Sequence, residues 1–237
     1  MKDNKKIIFI TGTSKGLGLS VAKKLLEANY AVVGISRSET IIENPDFSHE
    51  TFDLNETDAI HGFVSMLIKK YGIPYGLINN AGIGNNGTLG TQHETEITKL
   101  LNINLLAPIL LSKYISRKML INREGKIINV ASIIGTTGFN GLSVYGATKS
   151  GLIGFTKSLS REVGKLGVIV NSVSPGYLET EMTQGIDDKN KAKILNRSPF
   201  KKLAAVDDVS ELILFLISKG SYSIHGQNFI VDGGSTA

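Results

Sequence analysis

The sequence lacks several features that would mark a specialised class of protein. None of its 237 residues is cysteine, which excludes disulfides, thiolate catalysis and cysteine-based metal sites. The first apolar run, Ile7 to Ile10, is too short for a membrane span or a secretory segment. Internal repeats and low-complexity tracts are missing as well. We therefore predict a cytoplasmic protein with a single domain over residues 1–237 and no membrane partner.

Long runs of one charge sign are also missing, although the formal net charge is +5. No run of Lys and Arg exceeds two residues, and no stretch interleaves basic and aromatic side chains. This pattern disfavours nucleic acid as a partner and favours phosphate-bearing cofactors or substrates. The four histidines (His49, His61, His93 and His225) show no ligand spacing, so we expect surface histidines and no metal site.

Apolar strands alternate with amphipathic helices along the chain. Lys6–Thr11 and Tyr30–Ser36 are typical of strands buried on both faces, and a long helical region runs from Glu94 to Met119, with Pro108 as a kink. The pattern predicts an α/β fold: a single Rossmann-like, doubly wound parallel sheet of about seven strands, with helices on both faces. The polar segment 177–198 is predicted to be a lid over the site.

A glycine-rich turn, Thr11-Gly-Thr-Ser-Lys-Gly-Leu-Gly18, follows the first predicted strand and opens a helix. Gly12 permits a tight turn, Gly16 lets the backbone approach a pyrophosphate, and Gly18 lets the helix and strand pack closely. The spacing is GxxxGxG rather than GxGxxG, and a plain glycine turn is the alternative. The surrounding strand and helix favour a dinucleotide site.

The end of the second strand favours NADP(H) over NAD(H). About twenty residues after such a turn, an acidic residue normally binds the adenine ribose 2′-hydroxyl. Here Ser36 and Arg37 occupy this position, and Lys15 stands in the glycine turn. Two cations suit a 2′-phosphate, although two solvated surface charges are the alternative. Farther on, Asp53 could contact the adenine amino group or cap a helix.

Two stretches place a tyrosine four residues before a lysine: Tyr145–Lys149 and Tyr114–Lys118. On a helix, both side chains of such a pair lie on one face, and the cation is expected to lower the pKa of the phenol. A proton donor of this kind suits carbonyl reduction. The sequence also places Asn104 among apolar residues, where its amide has either a structural or a catalytic hydrogen bond.

Taken together, these motifs resemble the short-chain dehydrogenase/reductase family over essentially the whole chain. The resemblance rests on the glycine turn, Asn79-Asn-Ala-Gly82, Asn104, Ser132, Tyr145-Gly-Ala-Thr-Lys149, and Pro175-Gly176 with Thr180. In this family a serine precedes the catalytic tyrosine by about a dozen residues. Ser132 stands at that distance from Tyr145, whereas the same offset from Tyr114 falls on Leu101, so the resemblance selects Tyr145 and leaves Tyr114 and Lys118 on a helix surface or interface.

The resemblance implies specific roles. Tyr145 is the general acid, Lys149 lowers its pKa and holds the nicotinamide ribose, Ser132 binds the carbonyl oxygen, and Asn104 anchors a water in a proton relay. The residues implied to bind the cofactor are Gly12, Ser14, Lys15, Gly16, Leu17, Gly18, Arg37, Asp53, Leu54, Asn80, Ala81, Gly82, Tyr145, Lys149, Pro175, Gly176 and Thr180.

Within the family, the chain resembles the 3-oxoacyl-[acyl-carrier-protein] reductases of fatty acid biosynthesis. The resemblance implies NADPH-dependent reduction of a 3-oxoacyl thioester, acyl carrier protein as a partner, and a homotetramer. Arg123 matches the first of two basic carrier-docking residues, but Leu166 replaces the second, with Lys165 beside it. The alternatives are a secondary-alcohol, sugar or steroid dehydrogenase of the same family, and a nucleotide-sensing protein without turnover.

Overall fold

A computed structural model describes residues 5–84, 87–178, 192 and 195–237. In this part of the chain, seven strands pair in one fully parallel sheet. The strands are β1 (Ile7–Thr11), β2 (Ala31–Ser36), β3 (Phe47–Thr51), β4 (Gly76–Asn79), β5 (Gly125–Val130), β6 (Val168–Pro175) and β7 (Asn228–Val231). Their order across the sheet is β3-β2-β1-β4-β5-β6-β7.

The strand order reverses direction between β1 and β4. Following the chain, β2 and β3 are added on one side of β1, and β4 is then added on its other side. In open parallel sheets, ligands bind beyond the carboxyl ends of the strands at such a switch point. The turns after β1 and β4 are therefore the natural walls of a binding site.

Helices cover both faces of the sheet, as predicted. They are α1 (Gly16–Glu27), α2 (Ile60–Tyr71), α3 (Glu94–Leu101), α4 (Ala107–Asn122), α5 (Ile134–Thr137), α6 (Ser143–Val163) and α7 (Val206–Ile217). One buried apolar cluster joins α1 and α7 to one face, and a second joins α2, α4 and α6 to the other. Burial of alternate strand residues against these two layers supplies the main hydrophobic stabilisation.

The predicted helical region from residue 94 to 119 is interrupted in a different way from the one expected. A π-helical turn, Asn102–Leu106, separates α3 from α4, and Pro108 lies in the first turn of α4. Proline fits a first turn because its missing N–H has no obligatory partner there. The irregularity thus precedes Pro108, and it falls on Asn104.

The short helix α5 occupies the first residues of the glycine-rich stretch 135–141. Most of the predicted lid, residues 177–198, lies outside the described residues; at its ends, Leu178 pairs with Ala204 and Ser198 is buried. Among the described helices, none combines the length and apolarity needed to cross a membrane.

Candidate active site

The glycine turn after β1 has the backbone geometry that its sequence predicted. Gly12 has φ +77° and Gly16 has φ +57°, which is left-handed backbone that favours glycine. The Gly12 N–H donates to the Ile35 carbonyl at 2.7 Å, which ties the turn to the end of β2. A Cβ at Gly18 would lie 2.0 Å from the Gly12 carbonyl oxygen, so α1 begins in direct contact with the turn.

A second turn, after β4, is fastened to the first. Asn80 Nδ2 donates to the Thr11 carbonyl at 2.9 Å and to the Gly12 carbonyl at 3.2 Å. The backbone N–H groups of Asn80 and Ala81 each donate to Thr11 Oγ1 at 3.0 Å. The two turns at the switch point therefore form one hydrogen-bonded unit.

An open cleft of about 870 Å³ runs along the carboxyl edge of the sheet. Its volume is near the upper end of the range for small-molecule sites, as a dinucleotide requires. The predicted residues that line it are Gly12, Ser14, Lys15, Gly16, Leu17, Gly18, Arg37, Asp53, Leu54, Asn80, Ala81, Gly82, Ser132, Tyr145, Lys149, Pro175 and Gly176. The N-terminus of α1 and the glycine backbone of Gly16, where that helix begins at the cleft, fit a pyrophosphate, so the residues present fit a nicotinamide dinucleotide.

The predicted catalytic side chains converge at one end of this cleft. Ser132 follows β5, and α6 carries Tyr145 and Lys149 one turn apart, so the phenol and the ammonium share a helix face. The Ser132 hydroxyl lies close enough to the Tyr145 phenol to lower its pKa. Lys149 Nζ lies 5.7 Å from the centre of the Tyr145 ring and donates to the Val130 carbonyl at 2.9 Å.

The prediction that Lys149 lowers the pKa of Tyr145 is wrong for the protein without its cofactor. Burial raises the pKa of Tyr145 above its ordinary value, and the nearby Ser132 hydroxyl opposes this only in part. Lys149 is itself fully enclosed, and burial lowers the pKa of its ammonium to about 8. Burial is the largest cause of both shifts, and the Lys149 ammonium donates its hydrogen bond to the Val130 carbonyl.

Asn104 lies beside this cluster rather than on the wall of the cleft. Its side chain is fully buried; Oδ1 accepts the Ile83 N–H at 2.9 Å, and Nδ2 donates to the Ile83 carbonyl at 2.8 Å. A Cβ at Gly82 would lie 3.4 Å from both Asn104 Oδ1 and Lys149 Nζ. The amide therefore has a structural bond, and the π-helical turn holds it next to Lys149.

Lys15 and Arg37 line the opposite end of the cleft, and both are exposed. Asp53 lines the cleft near them, and its Oδ1 accepts the Asn55 N–H at 2.9 Å. That contact is a local turn, so the alternative of a helix cap is wrong for Asp53. The predicted Thr180 lies outside the described residues.

Asn79, the first residue of the Asn79–Gly82 motif, lies beneath the cleft, where its Nδ2 donates to Ser112 Oγ and Asn129 Oδ1. The expectation of surface histidines needs correction for two of the four. Two histidines are not simple surface residues, because His49 contacts Ser36 Oγ at 2.9 Å and His225 Nδ1 accepts the Val170 N–H at 3.0 Å. No group of three metal-ligating side chains is found within the described part of the chain.

Sequence reasoning missed the aromatic wall near Tyr145. The Phe139 and Tyr177 rings meet edge to face, with centres 6.2 Å apart, and both line the cleft. Charge from Arg197 acts on Tyr177. The only signal in the sequence was position, since both residues follow the carboxyl ends of strands.

The second tyrosine–lysine pair, Tyr114 and Lys118, lies outside the cleft. Tyr114 lies on α4, its ring centre is 4.6 Å from that of His61 on α2, and Lys118 is exposed. Neither residue lines the cleft. The choice of Tyr145 over Tyr114 agrees with this placement.

This fold and this arrangement define a class: an NAD(P)-dependent oxidoreductase with a dinucleotide cleft at the edge of a doubly wound sheet. The sequence pattern of the short chain dehydrogenase family matches residues 6–191. The chain belongs to that family, which confirms the resemblance.

Known relatives agree with this assignment. The chain is 36% identical to the 3-oxoacyl-[acyl-carrier-protein] reductase FabG of Vibrio harveyi over 235 residues, 97% of this chain and 96% of the relative. It is 35% identical to FabG of Escherichia coli over 235 residues, with the same coverage.

Solved structures show the same fold with different cofactors. A 4-hydroxyisoleucine dehydrogenase complexed with NADH has a TM-score of 0.94 and 30% identity, and the alignment covers 98% of this chain and 99% of that one. A gluconate 5-dehydrogenase from Burkholderia cenocepacia in complex with NADP and tartrate has a TM-score of 0.91 and 27% identity, covering 98% and 95%.

Proposed function

We propose that this protein reduces the keto group of 3-oxoacyl thioesters with NADPH. The observation that carries the proposal is the cluster of Ser132, Tyr145 and the buried Lys149, which line the same end of the dinucleotide cleft. The FabG relatives support the choice of a 3-oxoacyl substrate.

The chain's own residues would share the work as follows. When bound, the nicotinamide supplies the hydride. Ser132 and Tyr145 would hold the carbonyl oxygen, and Tyr145 would give it a proton as negative charge develops. Burial raises the pKa of Tyr145 and so favours the protonated phenol, which is the form that donates a proton in reduction. Lys149 would hold the nicotinamide ribose, and Asn104 would anchor a water that renews the proton through Lys149.

The preference for NADPH is supported by Lys15 and Arg37, which line the adenosine end of the cleft. Arg37→Asp places a negative charge there, and we expect the NADPH dissociation constant to rise at least about tenfold while that of NADH changes little, since charge-assisted bonds to the 2′-phosphate are lost. Fluorescence titration measures both constants. Arg117→Asp, on the exposed side of α4, is the control for net charge. Equal weakening of both cofactors would rule out the phosphate role.

The remaining proposals concern partners. Arg123 ends α4 in left-handed backbone and, with Lys165, would contact an acidic carrier protein, although Leu166 is apolar and 38% exposed. Exposed apolar side chains at Leu106 and Ile230 would lie in the interfaces of a homotetramer, which sedimentation velocity would reveal. The cytoplasmic location remains a prediction.

A second candidate function is the oxidation of hydroxy acids, which falls within the alternative of a secondary-alcohol dehydrogenase. One observation favours it: Arg197 acts on Tyr177 at the wall of the cleft, where a cation could attract a substrate carboxylate. Two of the structural relatives are named for 4-hydroxyisoleucine and gluconate, and both of these compounds carry a carboxylate.

Initial rates distinguish the two candidates. We would compare acetoacetyl-carrier protein, acetoacetyl-CoA, gluconate and a simple ketone, each with both cofactors. The main proposal predicts the highest kcat/KM for an acetoacetyl thioester with NADPH. A higher value for the hydroxy acid, with no thioester reduction, would favour the second candidate.

A further inference from the structure

Residues 36–40, here called the Arg37 loop, carry Arg37 from the end of β2 past the adenosine end of the cleft. Although its middle is exposed, the loop is attached by hydrogen bonds at both ends. Ser36 contacts His49 on the edge strand β3, and Thr40 contacts Thr13 in the glycine turn. The loop is therefore braced against two elements that are distant in sequence.

The bond at the first end has a defined direction. Ser36 Oγ donates its one proton to the Ser38 carbonyl at 2.8 Å, which closes the loop on itself. The contact of 2.9 Å between Ser36 Oγ and His49 Nε2 must then be donated by the imidazole, because the hydroxyl has no second proton. His49 thus holds the Ser36 hydroxyl in the orientation that shapes the loop.

The bond at the second end depends on a gap in β2. Thr13 is fully buried, and its Oγ1 lies 2.9 Å from Thr40 Oγ1. A Cβ at Gly34 would lie 2.6 Å from Thr13 Oγ1, so only glycine leaves room for this hydroxyl. Thr13 belongs to the turn that also carries Lys15, so the bond links the two predicted phosphate-binding cations to one framework.

We propose that His49 and Thr40 are positioning residues that select NADPH by fixing Arg37 beside Lys15 for the 2′-phosphate. The inference rests on the proposed preference for NADPH. Neither His49 nor Thr40 lines the cleft, so both act through the loop rather than on the cofactor. A braced loop has already lost the conformational freedom that a free loop would lose on binding, so the entropy cost of binding is smaller. Only the cofactor that contacts Arg37 binds more tightly as a result.

The test compares cofactor binding in matched variants. His49→Phe keeps a ring but removes the donor, His49→Gln keeps a nitrogen donor at the end of the side chain, and Thr40→Val keeps the shape but removes the hydroxyl. His93→Phe, at an exposed position, is the control. Dissociation constants are measured for NADPH, NADH, 2′,5′-ADP and 5′-AMP, and each variant is first checked for an unchanged thermal transition.

We expect His49→Phe and Thr40→Val to weaken NADPH and 2′,5′-ADP by about five- to tenfold and to change NADH and 5′-AMP less than about twofold. His49→Gln should restore most of the affinity for NADPH. Equal losses for all four ligands, or an unchanged ratio of NADPH to NADH in both variants, would overturn the proposal. If Arg37→Asp alters the preference but these variants do not, only the brace fails; if the wild type has no preference for NADPH, the cofactor assignment itself fails.

Discussion

At the scale of single residues, the site depends on a buried ammonium that the fold keeps at a cost. Among the described residues, Lys149 donates to one backbone carbonyl, that of Val130, and no carboxylate contributes to the shift of its pKa. A buried charge without an ionic partner disfavours the folded state. We therefore expect a protein to keep such a charge only where its function requires it. The chain therefore gives up stability at the position where the proposed chemistry needs a cation.

Replacing this lysine should separate stability from activity. The pKa of Lys149 falls from an ordinary 10.5 to about 8, so at neutral pH the folded state carries a penalty of about 3 kcal/mol. Loss of the bond to Val130 offsets roughly 1 kcal/mol of this. We expect Lys149→Met to be inactive but more stable to urea by about 1–2 kcal/mol. Lys118→Met, from the exposed second pair, should stay within about 0.5 kcal/mol of the wild type.

The sign of the pH dependence follows from the same shift. Below pH 8, Lys149 is protonated in both states and the full penalty is present. Between pH 8 and 10.5, the folded state releases its proton while the unfolded state keeps it, so the wild type gains stability as pH rises. The advantage of Lys149→Met should shrink over this range. An advantage that is constant with pH would contradict the assignment of a buried charge.

At the scale of elements, the start of α1 matters because helix and turn touch without a side chain between them. Gly18→Ala would push a methyl group against the Gly12 carbonyl oxygen, 2.0 Å away. We expect a loss of at least about 2 kcal/mol in the free energy of unfolding and much weaker dinucleotide binding, since the turn must move.

Gly62 on α2 provides the control for this substitution. It is also a helical glycine, but an added Cβ meets nothing within 4 Å. Gly62→Ala should therefore stabilise the protein by about 0.5–1 kcal/mol, because alanine favours a helix. Chemical denaturation of both variants checks the comparison, and a neutral Gly18→Ala would show that the close contact is not required.

The elements also show which features a sequence can predict. The apolar runs Lys6–Thr11 and Tyr30–Ser36 located β1 and β2 to within one residue, because an apolar run is a local property of the sequence. The π-helical turn at Asn102–Leu106 was missed, since it arises where Asn104 bonds to Ile83 in another segment. The prediction of a lowered pKa for Tyr145 was wrong for a similar reason. The spacing in the sequence places a cation near the phenol, but the burial that raises its pKa depends on the whole fold.

At the scale of the whole molecule, the sheet order brings together segments that are far apart in the chain. The turns after β1 and β4 meet at the switch point, and the ends of β5 and β6 place Ser132 and Gly176 along the same edge. The helix α6 then sets Tyr145 and Lys149 against this edge, whereas Tyr114 packs against α2. The topology, rather than the tyrosine–lysine spacing, selects the working pair.

Replacing Tyr145 tests this account most directly. Tyr145→Phe removes the proton donor and keeps the ring, so NADPH should bind normally while reduction of an acetoacetyl thioester falls at least about a hundredfold. Tyr114→Phe is the matched control and should retain wild-type kcat/KM. A Tyr145→Phe enzyme that reduces the substrate at a rate near that of the wild type, or an inactive Tyr114→Phe enzyme that binds NADPH, would contradict the account.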